Sequence, residues 1–227
     1  MFLLTTAFAL SIPSFFANAL PIDGMAPGVA AIETHFKNFG IVPDILPSFN
    51  PSALMTVTFP GVGPISPGQN LSMEHTVTVP GVSIIPSNSS VSTTGNFTLM
   101  MVDAFAVGRN VSNPPRQILH WLTNSATLQS GSSPSGNPSL NVSTDGGVVV
   151  TNYIPPVPPV GTGPHRFIIL LLPQPPSFSP PANLSSPNVG IDFYFHLPDY
   201  ISSSNLGQPI AGMFFEVQQG PEDDTIP

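Results

Sequence analysis

Two histidines and one aspartate stand out as residues that could do chemistry. His120 and His165 both lie in apolar segments, and Asp103 directly follows the apolar run Phe97 to Val102. Because such segments predict core strands, we expect the three side chains to meet at the margin of one sheet. Imidazoles can donate hydrogen bonds to phosphate or carboxylate oxygens, and a nearby carboxylate favours the charged imidazole. The pattern therefore predicts a pocket for a small anion.

The alternative for each histidine is an ordinary core residue with satisfied hydrogen bonds, and His35, His75 and His196 are assigned to that class. A serine hydrolase is disfavoured because the sequence contains no Gly-x-Ser-x-Gly motif and its serines are concentrated in loop-like segments. A two-histidine metal site is disfavoured because no closely spaced ligand pair supports it. We expect no enzyme activity, no metal and no cofactor.

Arg166 directly follows His165 and has two possible roles. Its guanidinium could contact a ligand, or it could form a structural pair with a buried acid such as Asp103. We favour the structural pair.

The composition excludes some classes of partner. The chain has 227 residues, with 4 Lys and Arg against 12 Asp and Glu, and a formal charge of −8. So few cations cannot neutralise the phosphates of a nucleic acid, and nucleic-acid binding is not expected. With no cysteine and 41% hydrophobic residues, the chain must depend on one hydrophobic core. We expect a monomer with a single domain over residues 20–227.

The first residues resemble a secretory signal. Phe2 to Phe16 is apolar, and Ala17-Asn-Ala19 places small residues at a signal-peptidase cut, so residues 1–19 are predicted to be a signal peptide, with a first core strand as the alternative. Six Asn-x-Ser/Thr sequons predict a secreted glycoprotein; they begin at Asn70, Asn88, Asn96, Asn110, Asn141 and Asn183. The apolar run Phe167 to Leu172 is too short for a transmembrane helix.

Periodicity predicts a mainly β protein with short helices. Apolar spacings of three and four residues predict a helix between Pro27 and Gly40. From Ser52 onward, period-two alternation predicts many short strands, including residues 73–79, and hence a β-sandwich. The Ser, Gly and Asn-rich residues 125–147 predict a long surface loop, and the acidic residues 221–227 a frayed tail. Residues 193–201 permit a short helix, and residues 211–217 a last strand.

A proline-rich segment, Tyr153 to Pro164, separates the apolar runs Val148–Thr151 and Phe167–Leu172, which are predicted to be strands buried on both faces. Its prolines favour polyproline II geometry and lack the N–H groups needed to hydrogen-bond as a strand of a β-sheet. We expect this stiff segment to shape a site; a peptide ligand for an SH3-like domain is the alternative.

The sequence resembles the phosphatidylethanolamine-binding protein family at three places. Pro158-Pro-Val-Gly-Thr-Gly-Pro-His-Arg-Phe167 resembles the family's Pro-Pro-x-Gly-Thr-Gly-x-His-Arg-Tyr segment without gaps. Asp103, followed later by Leu119-His-Trp-Leu122, resembles its aspartate-containing strand end and following histidine. Leu206-Gly-Gln-Pro-Ile-Ala-Gly212 resembles its Leu-Gly-x-Pro-Val-Ala-Gly stretch.

The resemblance implies a Greek-key β-sandwich with a few short peripheral helices and a pocket for phosphoethanolamine-type headgroups and related anions. The residues that it implies for this pocket are polar Asp103, His120 and His165, with walls from Trp121, Pro158, Pro159 and Gly161. Phe105 replaces a second family aspartate and Phe167 a tyrosine, while Ala104 and Val107 replace prolines, so the pocket is less acidic and less polar than the family pattern.

These observations lead to a secreted, non-catalytic binding protein with a pocket for a small anion or phospholipid headgroup. The alternative, which some members of the family represent, is an inhibitor of a peptidase, like the carboxypeptidase Y inhibitor, or a modulator of another protein through an exposed surface.

Overall fold

The computed structural model describes residues 27–104, 117–131, 139–187 and 190–221. The predicted signal peptide, Phe105, the Asn110 sequon and nearly all of the predicted acidic tail lie outside these residues. Within the described part of the chain, no helix is long and apolar enough to cross a membrane.

The protein is mainly β, as predicted, and its described residues include two α-helices and two 3-10 turns. The helices are α1 (Pro27–Asn38) and α2 (Leu197–Ser203), and the 3-10 turns span Met73–Thr76 and Ala182–Leu184. The strands are β1 (Ala53–Phe59), β2 (Gly63–Pro64), β3 (Gln69–Leu71), β4 (Gly81–Pro86), β5 (Phe97–Asp103), β6 (Gln117–Gly131), β7 (Ser139–Ser143), β8 (Val148–Thr151), β9 (His165–Pro173), β10 (Asp192–Phe195) and β11 (Ala211–Val217).

The strands form one continuous sheet in the order β2-β1-β4-β7-β6-β5-β9-β11-β3, with β8 and β10 also paired to β6. The long strand β6 joins the two parts of the sheet, because its first half pairs with β5 and its last residues pair with β7. The sheet is open and curled, so the Greek-key sandwich remains a prediction.

The centre of the core is the antiparallel pair β5 and β9. All residues of β5 and residues 167–172 of β9 are buried, as expected for apolar strands covered on both faces. Their register places Phe97 opposite Pro173 and Asp103 opposite Phe167. The same pairing brings the polar end of β5 next to the first residues of β9.

Helix α1 covers the sheet through its apolar face. Val29, Ile32 and Phe36 are buried, and the Phe36 ring stacks on Phe49 with centroids 4.0 Å apart and meets Phe214 edge-on at 5.3 Å. The chain leaves the helix through Gly40, whose φ of 64° is a left-handed conformation that glycine adopts without strain.

Four expectations from the sequence need correction. Residues 73–79 are not a strand: they begin with the 3-10 turn Met73–Thr76, and Val77 and Val79 are exposed, so their alternation does not reflect a buried face. Residues 125–147 are not one long loop, because they include the end of β6 and all of β7. In β8, Val148 is exposed, so this strand is not buried on both faces. The predicted helix over residues 193–201 begins only at Leu197, because most of the residues before it form β10.

Candidate functional site

The structure brings Asp103 and His165 into direct contact. Asp103 is the last residue of β5 and His165 the first residue of β9, and His165 Nδ1 lies 2.7 Å from Asp103 Oδ2. Both residues are almost fully buried, with 3% and 1% of their surface exposed. A buried carboxylate needs a partner of this kind, because burial without one is costly. The carboxylate therefore orients the His165 ring.

The other nitrogen of His165 is also in use. His165 Nε2 lies 2.8 Å from Thr162 Oγ1, and the same hydroxyl donates to the Pro159 carbonyl oxygen at 2.8 Å. Since a hydroxyl has one proton and a carbonyl can only accept, the Thr162 oxygen must accept a hydrogen bond from His165 Nε2–H. The imidazole is thus held at both nitrogens by the protein.

Asp103, His165 and Thr162 have the connectivity of an acid–base–nucleophile triad, but their proton arrangement differs from that of an active one. In a triad the hydroxyl donates to the histidine, which takes up its proton as general base. Here the Thr162 proton points to Pro159. The connectivity of these three residues therefore fits a locked structural unit better than an activated nucleophile.

His120 occupies a β-bulge. Val102 lies opposite Leu119 and Met101 opposite Trp121, so His120 is an extra residue in β6. Bulges change the direction of a side chain and often occur beside functional sites. His120 Nδ1 lies 2.9 Å from the carbonyl oxygen of Ile154, which can only accept. This contact places the proton of the neutral ring on Nδ1.

Burial sets the charge of His120. Burial lowers the pKa of His120 below the usual 6.5. The hydrogen bond to Ile154 and the charge of Asp103 raise this pKa but offset only part of the shift, and the charge of His165 lowers it. The Asp103 carboxylate does favour the charged imidazole of His120, as expected, but desolvation is the larger effect, so the pKa of His120 is lowered overall.

A pH-dependent stability follows from this shift. Between the lowered folded pKa of His120 and the usual 6.5, the unfolded chain binds more protons than the folded one, so stability is full above about pH 6.5 and is lost as pH falls toward the folded pKa. We expect replacing His120 with glutamine to remove up to about 1.4 kcal/mol per pH unit of this dependence. Urea unfolding of both proteins between pH 7.5 and 5 would measure it. Equal slopes would contradict the assignment.

Phe167 lies close to both imidazoles. Its buried ring lies edge-on to His120, with centroids 5.2 Å apart, and nearly parallel to His165 at 6.4 Å. A phenylalanine here has no hydroxyl to offer a ligand, whereas the family pattern has a tyrosine. The two histidines therefore share an apolar side of the site.

The other residues predicted to form the pocket walls differ in burial. Trp121 is buried and meets the Tyr153 ring edge-on at 5.7 Å, and the Tyr153 hydroxyl donates to the carbonyl oxygen of Thr76 at 2.7 Å. Pro158 and Gly161 are buried, whereas Pro159 is exposed and contributes its carbonyl oxygen to Thr162. Tyr153 thus ties the proline-rich segment to the turn that precedes Val77.

Arg166 has a structural position, but its main partners differ from the predicted one. Its guanidinium donates to the carbonyl oxygen of Phe39, just after α1, in a very short contact. Burial lowers the pKa of Arg166, and the charges of Asp44, Glu216 and Asp103 oppose this in that order. Arg166 therefore links β9 to the end of α1, and Asp103 is its weakest acidic neighbour.

Two partners in the site were not recognised from the sequence. Thr162 was noted only as part of the Gly-Thr-Gly motif, although its position three residues before His165 was a usable signal. The carbonyl of Ile154 had no signal, because any residue type supplies a carbonyl.

A separate cavity lies between the second 3-10 turn, β10 and α2. It measures about 200 Å³ and is lined by residues that include Asp192, His196 and Asp199. Three such groups could suggest a metal site, but no metal-holding cluster is found among the described residues. None of the predicted pocket residues lines this cavity.

Five of the six sequon asparagines belong to the described chain, and all five are exposed: Asn70, Asn88, Asn96, Asn141 and Asn183. Their amide groups are therefore accessible to a glycosylating enzyme, which requires a surface position.

Comparisons with known proteins identify the fold. The phosphatidylethanolamine-binding protein family model matches residues 58–215, which is more than half of the chain. The structure is similar to the carboxypeptidase Y inhibitor, solved in complex with its cognate proteinase, with a TM-score of 0.68 and 22% identity over 84% of this chain and 96% of that chain. It is also similar to phosphatidylethanolamine-binding proteins from Plasmodium vivax, with a TM-score of 0.60, and Plasmodium falciparum, with 0.55, each 18% identical over 82% of this chain and 96% of that chain. Together with the family match, which includes Asp103, His120 and His165, these likenesses lead to one conclusion: the chain belongs to the phosphatidylethanolamine-binding protein family.

Proposed function

We propose that this chain is a secreted, non-catalytic binding protein whose site accepts a small anion of the phosphoethanolamine type. The observation that carries the proposal is the pair of imidazoles near the starts of β6 and β9, where His120 and His165 both lie close to the Phe167 ring. Histidines fixed by neighbouring groups are suited to bind phosphate, and the buried Trp121 and Pro158 would limit access of water.

The proton arrangement supports a binding role. Thr162 gives its proton to Pro159, and His165 is held at both nitrogens, so neither the hydroxyl nor this imidazole is free to act as nucleophile or base. The exposed sequons support passage through the secretory pathway, where glycans are added.

Calorimetric titration with phosphoethanolamine between pH 5.5 and 8 tests this function. We expect saturable binding by the wild type that is lost in His120→Phe, because an apolar ring fills the same space without a polar atom. His75→Phe, at an exposed position, is the control and should bind like the wild type. Failure of the wild type to bind at every pH would overturn the proposal.

A second candidate function is the inhibition of a peptidase. Val157 and Val160 in the proline-rich segment are 69% and 62% exposed, and Tyr153 connects this segment to the turn before exposed Val77 and Val79. Exposed apolar side chains that lie close together are typical of protein interfaces, and these valines are candidates for such a surface. The similarity to an inhibitor that was solved with its proteinase adds to this interpretation. Inhibition of a serine carboxypeptidase that survives His120→Phe but is lost in Val157→Asp would favour it over anion binding.

A further inference from the structure

The cavity between the second 3-10 turn, β10 and α2 has the size of a single side chain. It measures about 200 Å³, whereas pockets for drug-sized ligands usually measure about 300–1,000 Å³. Its lining combines two carboxylates with three aromatic rings: Asp192, Tyr194, Phe195, Asp199 and Tyr200. A space of this size suits one polar side chain or one small molecular group.

The charge of the lining determines the sign of a suitable occupant. Among the described residues that line the cavity, Asp192 and Asp199 are acidic and none is Lys or Arg. Asp192 Oδ1 accepts a hydrogen bond from the Tyr194 N–H at 2.8 Å, and Asp199 Oδ2 lies 3.0 Å from His196 Nδ1. Each carboxylate has a second oxygen that can accept a hydrogen bond from a ligand. The cavity therefore favours a cation with several N–H donors.

A buried nitrogen of His196 is a second indication of a ligand. Although Asp199 Oδ2 lies 3.0 Å from it, His196 Nδ1 has no aligned hydrogen-bond partner within the described part of the chain. A buried polar atom without a hydrogen bond costs free energy, which a ligand with suitable polar atoms can recover. An N–H donor can fill this role when the ring is neutral, because an unprotonated imidazole nitrogen accepts hydrogen bonds.

An exposed aromatic ring extends the lining to the protein surface. Tyr194 lines the cavity and is 79% exposed, and the preceding Phe193 is 54% exposed. A guanidinium group stacks on aromatic rings, which a compact ammonium group does less well. Tyrosine and arginine are also enriched where proteins meet. The exposed rings therefore favour a macromolecular partner that covers them while one of its side chains enters the cavity.

We propose that this cavity binds the guanidinium group of an arginine side chain on the surface of a partner protein. The planar guanidinium carries five N–H donors, which match the carboxylates of Asp192 and Asp199, and it can stack on the Tyr194 ring. The net charge of −8 favours association with a basic partner surface. None of the residues of the histidine site lines this cavity, so this interaction is separate from the proposed anion binding.

The probe is the peptide acetyl-Gly-Leu-Arg-Leu-Gly-amide, titrated into the full ¹⁵N-labelled chain and followed by NMR. Citrulline in place of arginine is the matched ligand, since it keeps the shape and removes the charge. We expect saturable shifts at the amides of Tyr194, His196 and Ser203, and an affinity about tenfold lower for the citrulline peptide. A lysine peptide should bind more weakly than the arginine peptide, because it lacks the planar fork.

Variants of the two acids locate the interaction. The double variant Asp192→Asn with Asp199→Asn should lower the affinity for the arginine peptide about tenfold, because both charge-assisted contacts are lost. The double variant Glu74→Gln with Asp145→Asn is the matched control. It removes the same charge from two exposed positions outside the cavity and should bind like the wild type.

Three results would overturn the inference: no binding of the arginine peptide, equal affinity for the citrulline peptide, or equal weakening in the two double variants. The last would show a general attraction to an acidic protein. Acetyl-arginine amide that binds as tightly as the peptide would overturn the assignment to a partner protein, because a free guanidinium compound would then suffice. All of these outcomes leave the proposed anion binding untouched, since no variant alters His120 or His165.

Discussion

Replacing His165 with alanine is expected to lower the free energy of unfolding by about 1–3 kcal/mol, the range for removing hydrogen bonds from buried polar groups. The Asp103 carboxylate, 3% exposed, loses the imidazole that lies 2.7 Å from it, and Thr162 loses its donor. The missing ring also leaves a cavity, which adds to the cost. Urea unfolding of both proteins would measure the change.

The reason for this loss can be separated from simple loss of packing. Replacing His165 with glutamine instead keeps an amide that can hydrogen-bond to Asp103 or Thr162, and it should cost less stability than His165→Ala. His75→Ala, at an exposed position, should change stability by less than about 0.5 kcal/mol. A glutamine variant no more stable than His165→Ala would show that the lost hydrogen bonds are not the cause.

Replacing Phe36 with alanine should cost about 3–5 kcal/mol, as is typical for a large aromatic side chain removed from a core. Phe36 is 0% exposed and contacts Phe49 and Phe214, so it carries much of the packing between α1 and the sheet. Denaturant unfolding should show a lower midpoint with an unchanged slope.

Phe193 supplies the matched control for Phe36, because the same side chain is 54% exposed there. Phe193→Ala should change stability by less than about 1 kcal/mol, since little of its area leaves water on folding. Similar losses in both variants would contradict the assignment of Phe36 to the core and of α1 to a tightly packed layer.

The sequence predicted the parts of the fold that depend on apolar runs. β5, β9 and β11 appear where continuous or alternating apolar residues require burial, and α1 follows the spacing of Ile32 and Phe36. The prediction of a strand over residues 73–79 was wrong, because alternating side chains do not reveal whether a sheet is present to cover them. The polar residues 125–147 appeared loop-like, but part of them pairs at a solvent-facing region of the sheet.

The candidate site was predictable in its members but not in its hydrogen bonds. The family resemblance and the strand ends placed Asp103 beside His165, and the structure agrees. The sequence could not predict that Thr162 and the Ile154 carbonyl accept hydrogen bonds from the two imidazoles. These contacts depend on backbone positions and on a bulge in β6. Those contacts decide what the site can offer an anion.

The most direct test of the central claim is a crystal structure of the protein with glycerophosphoethanolamine, grown near pH 6. We predict phosphate density with one oxygen within hydrogen-bond distance of the His120 ring, while His165 keeps its contacts to Asp103 and Thr162. Phosphate bound elsewhere, for example in the cavity between β10 and α2, or bound through a reoriented His165, would contradict the account.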